Sequence, residues 1–375
     1  MRLLGIPDIE DIVLGAALLG AGGGGDPYVG KLTAMAAVKE CGPVKLIGID
    51  EIPEDGLVVP IASVGAPTVL TEKGCGRDEY RRLLDTIERY CGKKACAVMP
   101  IEAGGVNSML PIAAAARLGL PMVDADAMGR AFPEIQMVTF TIGGIPASPM
   151  VFVDEKGNLS IIETITNKWT ETLCRAGVSV SGGSVISAEF MVNAAQLREY
   201  AVDGIVTYSQ QLGRSIREIK RCPAGMTPEE NFLKVTGGHR IFKGKISDVL
   251  RETRDGFNFG RVMLEGIADC KGSQAFVEFQ NENLCAVVDG DILATAPDLI
   301  CLVDTDTFTP VPTDALKYGK RVLVVGLECF HLWRTPEGLD LVGPRYFGID
   351  TDYVPVEKRC KQGSQEDICT NSVSM

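Results

Sequence analysis

The sequence predicts a protein of two parts: an α/β half with a parallel sheet covered on both faces, and a β-rich half that forms an antiparallel sheet or small barrel. In the first half, near-continuous apolar runs alternate with helical stretches, which is typical of buried parallel strands. From about Lys234 onward, short β-rich segments are separated by turn residues. We therefore predict an α/β domain at 1–165, a helical connector with a barrel-like domain at 166–358, and a polar, disordered tail at 359–375.

The predicted elements of the first half alternate along the chain. Its strand-like runs are VKLIGID (44–50), GLVVPIASVG (56–65), KACAVMPIE (94–102) and LPMVDAD (120–126). Its helical stretches are DIEDIVLGAALLG, PYVGKLTAMAAVKEC, RDEYRRLLDTIERYC and NSMLPIAAAARLG. Residues 166–222 read as helical and could pack on either half. The strand-like runs of the second half are GRVMLEGI, SQAFVEFQ, ENLCAVVDGDILA, PDLICLVD and RVLVVGLE.

Composition and charge exclude several classes of function. The 37 basic and 49 acidic residues give a net charge of −12, which removes counterion release as a driving force, so we expect no nucleic-acid partner. The apolar start of the chain is interrupted by Asp8, Glu10 and Asp11, which does not fit a signal peptide, and no run approaches the ~18 apolar residues of a membrane span. The twelve cysteines form no C-x-x-C pair, which favours reduced thiols and a cytoplasmic protein, and we assign Cys75 no role.

A glycine-rich loop, ALLGAGGGGDPY at 17–28, is the first candidate binding element. It satisfies G-x-G-x-x-G, but the segment before it has helical spacing instead of a strand, and no Gly-Lys-Ser/Thr follows, so neither NAD nor ATP is expected. Asp26-Pro27 fits the cap and first position of a helix. The loop amides could therefore hold an anion or a developing negative charge, although a tight corner between two helices is the alternative. The amides in question belong to Gly22, Gly23, Gly24 and Gly25.

Acidic and amide side chains follow two of the predicted parallel strands. Glu102 and Asn107 come after KACAVMPIE, and Asp124 and Asp126 end LPMVDAD, with Arg130 close behind. Because ligands of open parallel sheets bind beyond the carboxyl ends of the strands, these residues are candidates for one site. Crowded carboxylates can divide the roles of acid and base, or Asp124 and Asp126 could bind a divalent metal through oxygen. Helix capping and a solvated loop are the alternatives.

Two further segments carry candidate substrate-binding residues. SVSGGSVISAEF, with Ser181, Gly182 and Gly183, reads as glycines that open a helix capped by Ser184, or as a structural turn. FQNEN carries side-chain amides that both donate and accept hydrogen bonds, as a planar ring with alternating N–H and C=O groups would require, although a hairpin turn is the simpler reading. These amides belong to Gln280, Asn281 and Asn283.

Several of these segments together resemble the S-methyl-thiohydantoin desulfurase family. They are GAGGGGDPY, MVDADAMGRAFPE, SVSGGSVISA, FQNENL, DGDILATAPDLICLVD, YGKRVLVVGLE and LVGPRYFGIDTDYVPVE, and the resemblance runs from about Asp8 to Glu357. It implies an N-terminal three-layer α/β domain and a C-terminal β-barrel-like domain. It also implies hydrolytic removal of sulfur from a thiohydantoin ring. Because relatives occur beside or fused to hydantoinase/oxoprolinase proteins, such a protein is a possible partner.

The residues and the resemblance lead to one main hypothesis and one rival. In the main hypothesis, Asp124 or Asp126 activates a water molecule that attacks a small heterocyclic substrate, and sulfide or methanethiol leaves. The backbone amides of the glycine loop stabilise the negative charge, and the side-chain amides of FQNEN bind the ring. In the rival, the protein is a non-catalytic ligand-binding or regulatory subunit of a hydantoinase/oxoprolinase complex. We expect a homo-oligomer and, apart from a possible divalent metal, name no cofactor.

Overall fold

The computed structural model describes residues 1–65, 69, 73, 78–254 and 256–360. Cys75 and the predicted tail from 361 onward lie outside the described residues. The chain divides into two compact units. The first is Met1–Arg214 with a short segment that ends at Phe257, and the second is Ser215–Arg254 with the chain from Asn258 onward.

The first unit is an α/β structure around an eight-stranded sheet. Its strands, together with a separate pair made by β6 and β10, are β1 (Arg2–Leu4), β2 (Val44–Ile47), β3 (Leu57–Gly65), β4 (Ala95–Pro100), β5 (Met122–Val123), β6 (Ala125–Asp126), β7 (Met150–Val153), β8 (Leu159–Ile162), β9 (Ser184–Ala188) and β10 (Val202–Asp203). The described helices that begin in this unit are α1 (Ile6–Leu19), α2 (Pro27–Cys41), α3 (Glu79–Cys91), α4 (Leu110–Leu118), α5 (Thr139–Ile142), α6 (Asn167–Val180), α7 (Ala194–Tyr200) and α8 (Ile205–Arg217).

Four neighbouring strands of the large sheet run parallel, in the order β2-β5-β4-β3. These are the strands that the alternating sequence predicts, and the predicted α/β fold class is confirmed. Antiparallel strands extend the sheet at both sides: β1 pairs with β2, and β9, β7 and β8 continue it from β3. The core strands β3 and β4 are almost wholly buried, which explains their continuous apolar sequences.

Helix α3 shows how sequence spacing decides which face is buried. Its sequence EYRRLLDTIERYC buries Tyr80, Leu83, Leu84 and Ile87, which recur every three or four residues and so share one face of a helix. The helix ends at Gly92, which has a φ of 63° in the left-handed region that glycine adopts without a steric penalty. The predicted helix therefore forms because its pattern and its end signal agree.

The region from 166 to 222 differs from the sequence prediction, because it contains the strands β9 and β10 in addition to helices. Gly182 and Gly183, with φ values of 80° and 92°, end helix α6 and lead into β9, so they do not open a helix and Ser184 is not a cap. The sequence SVISA is rich in β-branched residues, and each of its residues is buried. Such a segment is better accommodated in a sheet than in a helix, because branching at Cβ restricts side-chain rotamers in helices.

The second unit is a curled antiparallel half-barrel, which agrees with the predicted barrel-like domain. Its seven strands follow the order β15-β14-β13-β12-β11-β17-β16. They are β11 (His239–Arg254), β12 (Phe257–Gly266), β13 (Gln274–Gln280), β14 (Glu282–Val288), β15 (Asp291–Thr295), β16 (Leu299–Asp304) and β17 (Arg321–Leu327), with helices α9 (Pro228–Thr236) and α10 (Pro336–Val342). One buried cluster forms the core, and its largest members include Phe242, Phe279 and Ile300.

A buried carboxylate holds the last described segment in the second unit. Asp298 is wholly buried and accepts hydrogen bonds from the Val356 amide (2.7 Å), the Tyr353 hydroxyl (2.9 Å) and the Cys329 amide (3.1 Å). The chain then forms a short helix at 356–360. Hydrogen bonds to the Asp298 side chain thus hold the segment from Tyr353 onward against the half-barrel. Over the whole described chain, no helix has both the length and the apolar character needed to cross a membrane.

Candidate functional site

The glycine loop lies in direct backbone contact with the segment after β4. The Gly24 carbonyl accepts a hydrogen bond from the Val106 amide at 2.7 Å. A Cβ atom placed on Gly24 would lie 2.4 Å from the Cα atom of Gly104, and one placed on Gly105 would lie 2.4 Å from the Gly25 carbonyl oxygen. Real Cβ atoms do not approach other atoms so closely, so glycine is required on both sides of this crossing. The loop therefore brings the start of α2 to the carboxyl end of β4.

The backbone amides of the loop are used in different ways. The Gly23 amide donates to the Gly20 carbonyl at 2.9 Å, and the Asp26 carboxylate accepts from the Tyr28 amide at 2.8 Å, as the predicted helix cap requires. The amides of Gly24 and Gly25 have no hydrogen-bond partner within the described chain. These two donors are the part of the loop that could receive negative charge from a ligand. The predicted role for all four amides stays a prediction.

Glu102 is held at the end of β4 by Asn107. The Asn107 side chain donates to Glu102 Oε1 at 2.6 Å, and its own oxygen accepts from the Ser63 amide at 2.9 Å, so the amide bridges β3 and the carboxyl group. Glu102 is 6% exposed. Burial raises the pKa of Glu102 to about 7, although Asn107 and the positive charge of Arg130 oppose the increase. Near neutral pH this carboxyl group can therefore both hold and release a proton.

Asp126 is the last residue of β6, and its fully buried side chain interacts with Glu102. Its Oδ1 atom accepts hydrogen bonds from the amides of Gly129 (2.8 Å) and Met128 (3.1 Å). Its Oδ2 atom is buried and has no hydrogen-bond partner among the described residues. Burial raises the pKa of Asp126 to about 8, and the negative charge of Glu102 contributes to the increase. Because the two carboxyl groups interact, they titrate as a pair that keeps a proton near neutral pH.

Asp124, the other predicted base, has different contacts. Its Oδ1 atom accepts from the Thr207 amide at 2.9 Å, its Oδ2 atom bonds the Thr207 hydroxyl, and its carbonyl accepts from the Gly204 amide at 2.7 Å. Both carboxylate oxygens therefore hold the first turn of α8. This geometry favours the capping alternative for Asp124 and leaves Asp126 as the better candidate base or acid.

Arg130 supplies a buried positive charge near the carboxyl pair. The side chain is 0% exposed, its Nε atom donates to the Ala131 carbonyl at 3.0 Å, and its guanidinium group lies 4.3 Å from the centre of the Phe132 ring. Its positive charge lowers the pKa of Glu102. Arg130 therefore favours the ionised form of Glu102, which is the form that a general base requires.

The turn at Ser181, Gly182 and Gly183 lies at the carboxyl end of β3. A Cβ atom on Gly65, the last residue of β3, would lie 2.2 Å from the Gly183 carbonyl oxygen, and the Ser181 carbonyl accepts a hydrogen bond from Lys73 at 3.0 Å. The glycines thus allow a close backbone approach. The predicted substrate-binding role of this turn stays a prediction.

The three FQNEN amides lie at a hairpin of the second unit. Asn281 has a φ of 57° between β13 and β14, and its side-chain oxygen accepts from the Asn258 amide at 2.9 Å. The buried Asn283 side chain donates to the Ile300 carbonyl at 2.8 Å, and Gln280 is 9% exposed. These contacts match the hairpin alternative, and the proposed ring-holding role of the amides stays a prediction.

Glu189, the residue after β9, is a buried acid that the sequence pattern does not reveal. Glu189 is 2% exposed, and burial raises its pKa to about 7. The signal that could have found it is an acidic residue at the end of a buried strand, as at Glu102. The sequence hides this signal because the glycines before the segment favour a helix start.

The described residues contain no preformed metal-binding site. Within them, no group of three or more histidine, cysteine, aspartate or glutamate side chains is arranged to hold a metal ion. Both carboxylate oxygens of Asp124 are already bonded to Thr207 at the start of α8.

The raised pKa of Asp126 predicts how the free energy of unfolding depends on pH. The pKa of Asp126 is raised from 3.8 to about 8 in the folded state, so the folded protein binds this proton more tightly than the unfolded chain does. The free energy of unfolding should therefore fall as pH rises from about 4 to about 8. We expect a smaller decrease in Asp126→Asn, measured by chemical denaturation at a series of pH values. Parallel curves for the two proteins would contradict the raised pKa.

Comparisons with known proteins cover nearly the whole chain. The family model described as S-Me-THD-like, N-terminal domain, matches residues 7–164, and the S-Me-THD-like, C-terminal domain model matches residues 165–356. An X-ray crystal structure of a protein from Chromobacterium violaceum is similar with a TM-score of 0.79 and 22% identity, covering 95% of this chain and 100% of that chain. At this identity the similarity shows a shared fold alone. None of the curated proteins matches the chain.

Proposed function

The chain belongs to the S-Me-THD-like family, and from this premise we propose that it hydrolyses the ring carbon–sulfur bond of a thiohydantoin or an S-methyl-thiohydantoin. The products are a hydantoin and either sulfide or methanethiol. The observation that supports hydrolysis most directly is the buried carboxyl pair, Glu102 and Asp126, whose pKa values are raised to about 7 and about 8. Such a pair can hold one negative charge and one proton at neutral pH, as acid–base catalysis requires.

The two carboxyl groups differ in the role that each fits. Glu102 has the lower pKa, is favoured in its ionised form by Arg130 and retains some exposure, so it is the candidate base for a water molecule. Asp126 has the higher pKa and is the candidate acid for the leaving sulfur. This assignment differs from the sequence-based hypothesis, which placed the base at Asp124 or Asp126, because it gives the role of base to Glu102 and the role of acid to Asp126.

The reaction balances with these two groups and water alone. In the S-methylated ring, Glu102 accepts a proton from water as the hydroxyl group adds to carbon 2 of the C=N bond, and the adjacent ring nitrogen takes the negative charge. The C2–S bond then breaks, and the departing thiolate takes a proton from Asp126. In the unmethylated ring the hydroxyl group adds to the C=S bond, the negative charge develops on sulfur, and sulfur takes its proton from Asp126 before it leaves as HS⁻. The C2 hydroxyl tautomerises to the carbonyl of the hydantoin. Transfer of the proton from Glu102 to Asp126 restores the pair for the next turnover.

Backbone amides of the glycine loop are suited to stabilise the negative charge of the intermediate. The amides of Gly24 and Gly25 have no partner within the described chain and adjoin the end of β4, where Glu102 lies. Backbone donors fixed by a rigid crossing need no reorganisation during the reaction, which is why such donors stabilise transition states effectively. We assign them to the charge that develops on the ring nitrogen.

The test is release of thiol from a defined set of rings. The purified protein should release methanethiol from S-methyl-thiohydantoin or sulfide from thiohydantoin, detected with a thiol reagent, and no thiol from the sulfur-free hydantoin. Parallel assays with a chelator and with added divalent cations examine the possible metal. Binding of the ring without any product, in every metal condition, would overturn catalysis and favour the non-catalytic ligand-binding alternative.

A further inference from the structure

Helix α6 has one buried face and a second, apolar face that is exposed. The buried face packs on strands β3, β8 and β9 of the large sheet. On the opposite face, Trp169 is 52% exposed, Leu173 46% and Val180 88%, and Ala176 is exposed among them. We call Trp169, Leu173, Ala176 and Val180 the α6 seam. The seam together with Ile165, which lies just before the helix and is 90% exposed, offers several hundred Å² of apolar surface, the size at which an exposed patch marks a protein–protein contact.

The spacing of the α6 seam is that of a contact between two helices. Its four residues are separated by four, three and four positions. At 3.6 residues per turn they share one stripe that is about 60° wide. Alternating steps of four and three residues are also the spacing of the a and d positions of a coiled coil, whose side chains fit between those of a facing helix. A second helix is therefore the element that this stripe fits.

The α6 seam complements itself when two copies of the helix run antiparallel. The steps of four, three and four positions read the same in both directions, so one two-fold axis can relate the two stripes. An axis midway between Leu173 and Ala176 places Leu173 opposite Ala176 of the second copy. The same axis places Trp169 opposite Val180 of the second copy. Each larger side chain then faces a smaller one, which is the arrangement that fills the space between two helices.

The charges of helix α6 allow two copies to approach each other. The chain has a net charge of −12, so two copies repel unless the contacting surfaces lack uncompensated negative charge. The Glu171 side chain is buried and paired with Arg175 at 2.5 Å. Lys168 forms an ion pair with Glu134. The exposed residues that border the seam are uncharged, and they are Thr172 and Ser179.

We propose that the α6 seam is the interface through which two copies of this chain form a two-fold dimer. The two α6 helices lie antiparallel in this dimer, and the Trp169–Val180 and Leu173–Ala176 pairs each form twice. A different protein that covered the stripe would not require its spacing and its side-chain sizes to be symmetric. The symmetry of the seam is thus the observation that identifies a second copy as its occupant.

Leu173→Glu and Ala176→Lys test the dimer, because each variant places a charge at the centre of the seam. We expect the parent protein to sediment as a dimer, and each variant alone to sediment as a monomer with a dissociation constant raised at least ~100-fold, since a buried charge without a partner is costly. An equimolar mixture of the two variants should form a dimer again. In the mixed dimer the introduced carboxylate faces the introduced ammonium group, while the other Leu173–Ala176 pair is unchanged. Circular dichroism of each variant measures whether the helices stay folded.

The matched control is Leu32→Glu, which adds the same charge at a leucine of α2 that is 48% exposed. We expect this control to remain a dimer. A parent protein that sediments as a monomer would overturn the proposal and leave a different protein as the occupant of the seam. The proposal also fails if Leu173→Glu stays dimeric, if Leu32→Glu dissociates to the same extent, or if the mixture of the two seam variants stays monomeric.

Discussion

Asp126→Asn is expected to lower turnover at least ~100-fold while the unfolding temperature changes by only a few degrees. Asparagine keeps the Oδ1 acceptor for the amides of Met128 and Gly129, so the buried turn is retained. It cannot supply the proton that the leaving sulfur needs, and loss of a general acid or base typically costs about 10²–10⁴-fold in rate. Steady-state thiol release and thermal unfolding of the same preparation measure the two effects.

Asp124→Asn is the matched control for this prediction. Sequence reasoning alone predicts the same loss at both positions, because the two acids end one predicted strand. In the structure, however, both carboxylate oxygens of Asp124 bind Thr207 at the start of α8, so we expect lower stability and turnover within about fivefold of the parent. Near-normal turnover in Asp126→Asn, or a large loss confined to Asp124→Asn, would remove Asp126 from the mechanism.

The parts of the fold that the sequence predicts well are those with local causes. Helix α2 begins at Pro27 after the Asp26 cap and ends at Cys41, and the sequence places both ends correctly because a cap, a proline and a glycine mark them. The helix before the glycine loop is likewise visible in its spacing, and that helix excludes a dinucleotide fingerprint, which needs a strand there. Such signals depend on a few neighbouring residues.

The parts that the sequence does not predict depend on distant contacts. The sequence predicts a helix in place of strand β9, because the pairing partners of this strand, β3 and β7, are far away in the chain. Asp124 differs from Asp126 in its contacts because it bonds Thr207, which lies 83 residues away in the chain. Pattern reasoning therefore found both Glu102 and Asp126 and could not assign their separate roles.

The position of the candidate site depends most directly on the crossing between the glycine loop and the segment after β4. Gly24 has a φ of 75°, and Gly104 faces it so closely that a Cβ atom on Gly104 would lie 2.6 Å from Gly24 Cα. The Gly24 carbonyl also accepts the Val106 amide. A displacement here would therefore move both the free loop amides and the segment that carries Glu102 and Asn107.

Gly24→Ala is accordingly expected to lower the free energy of unfolding by about 2–5 kcal/mol. The left-handed backbone costs about 1–2 kcal/mol for alanine, and the contact with Gly104 adds about 1–3 kcal/mol of overpacking. The control is Gly92→Ala, where φ is 63° and no described atom lies within 4 Å of the added Cβ, so only the backbone cost of about 1–2 kcal/mol applies. Chemical denaturation measures both. Equal losses in the two variants would show that the close contact between Gly24 and Gly104 adds no cost. The crossing would then be too loose to hold the loop amides in place.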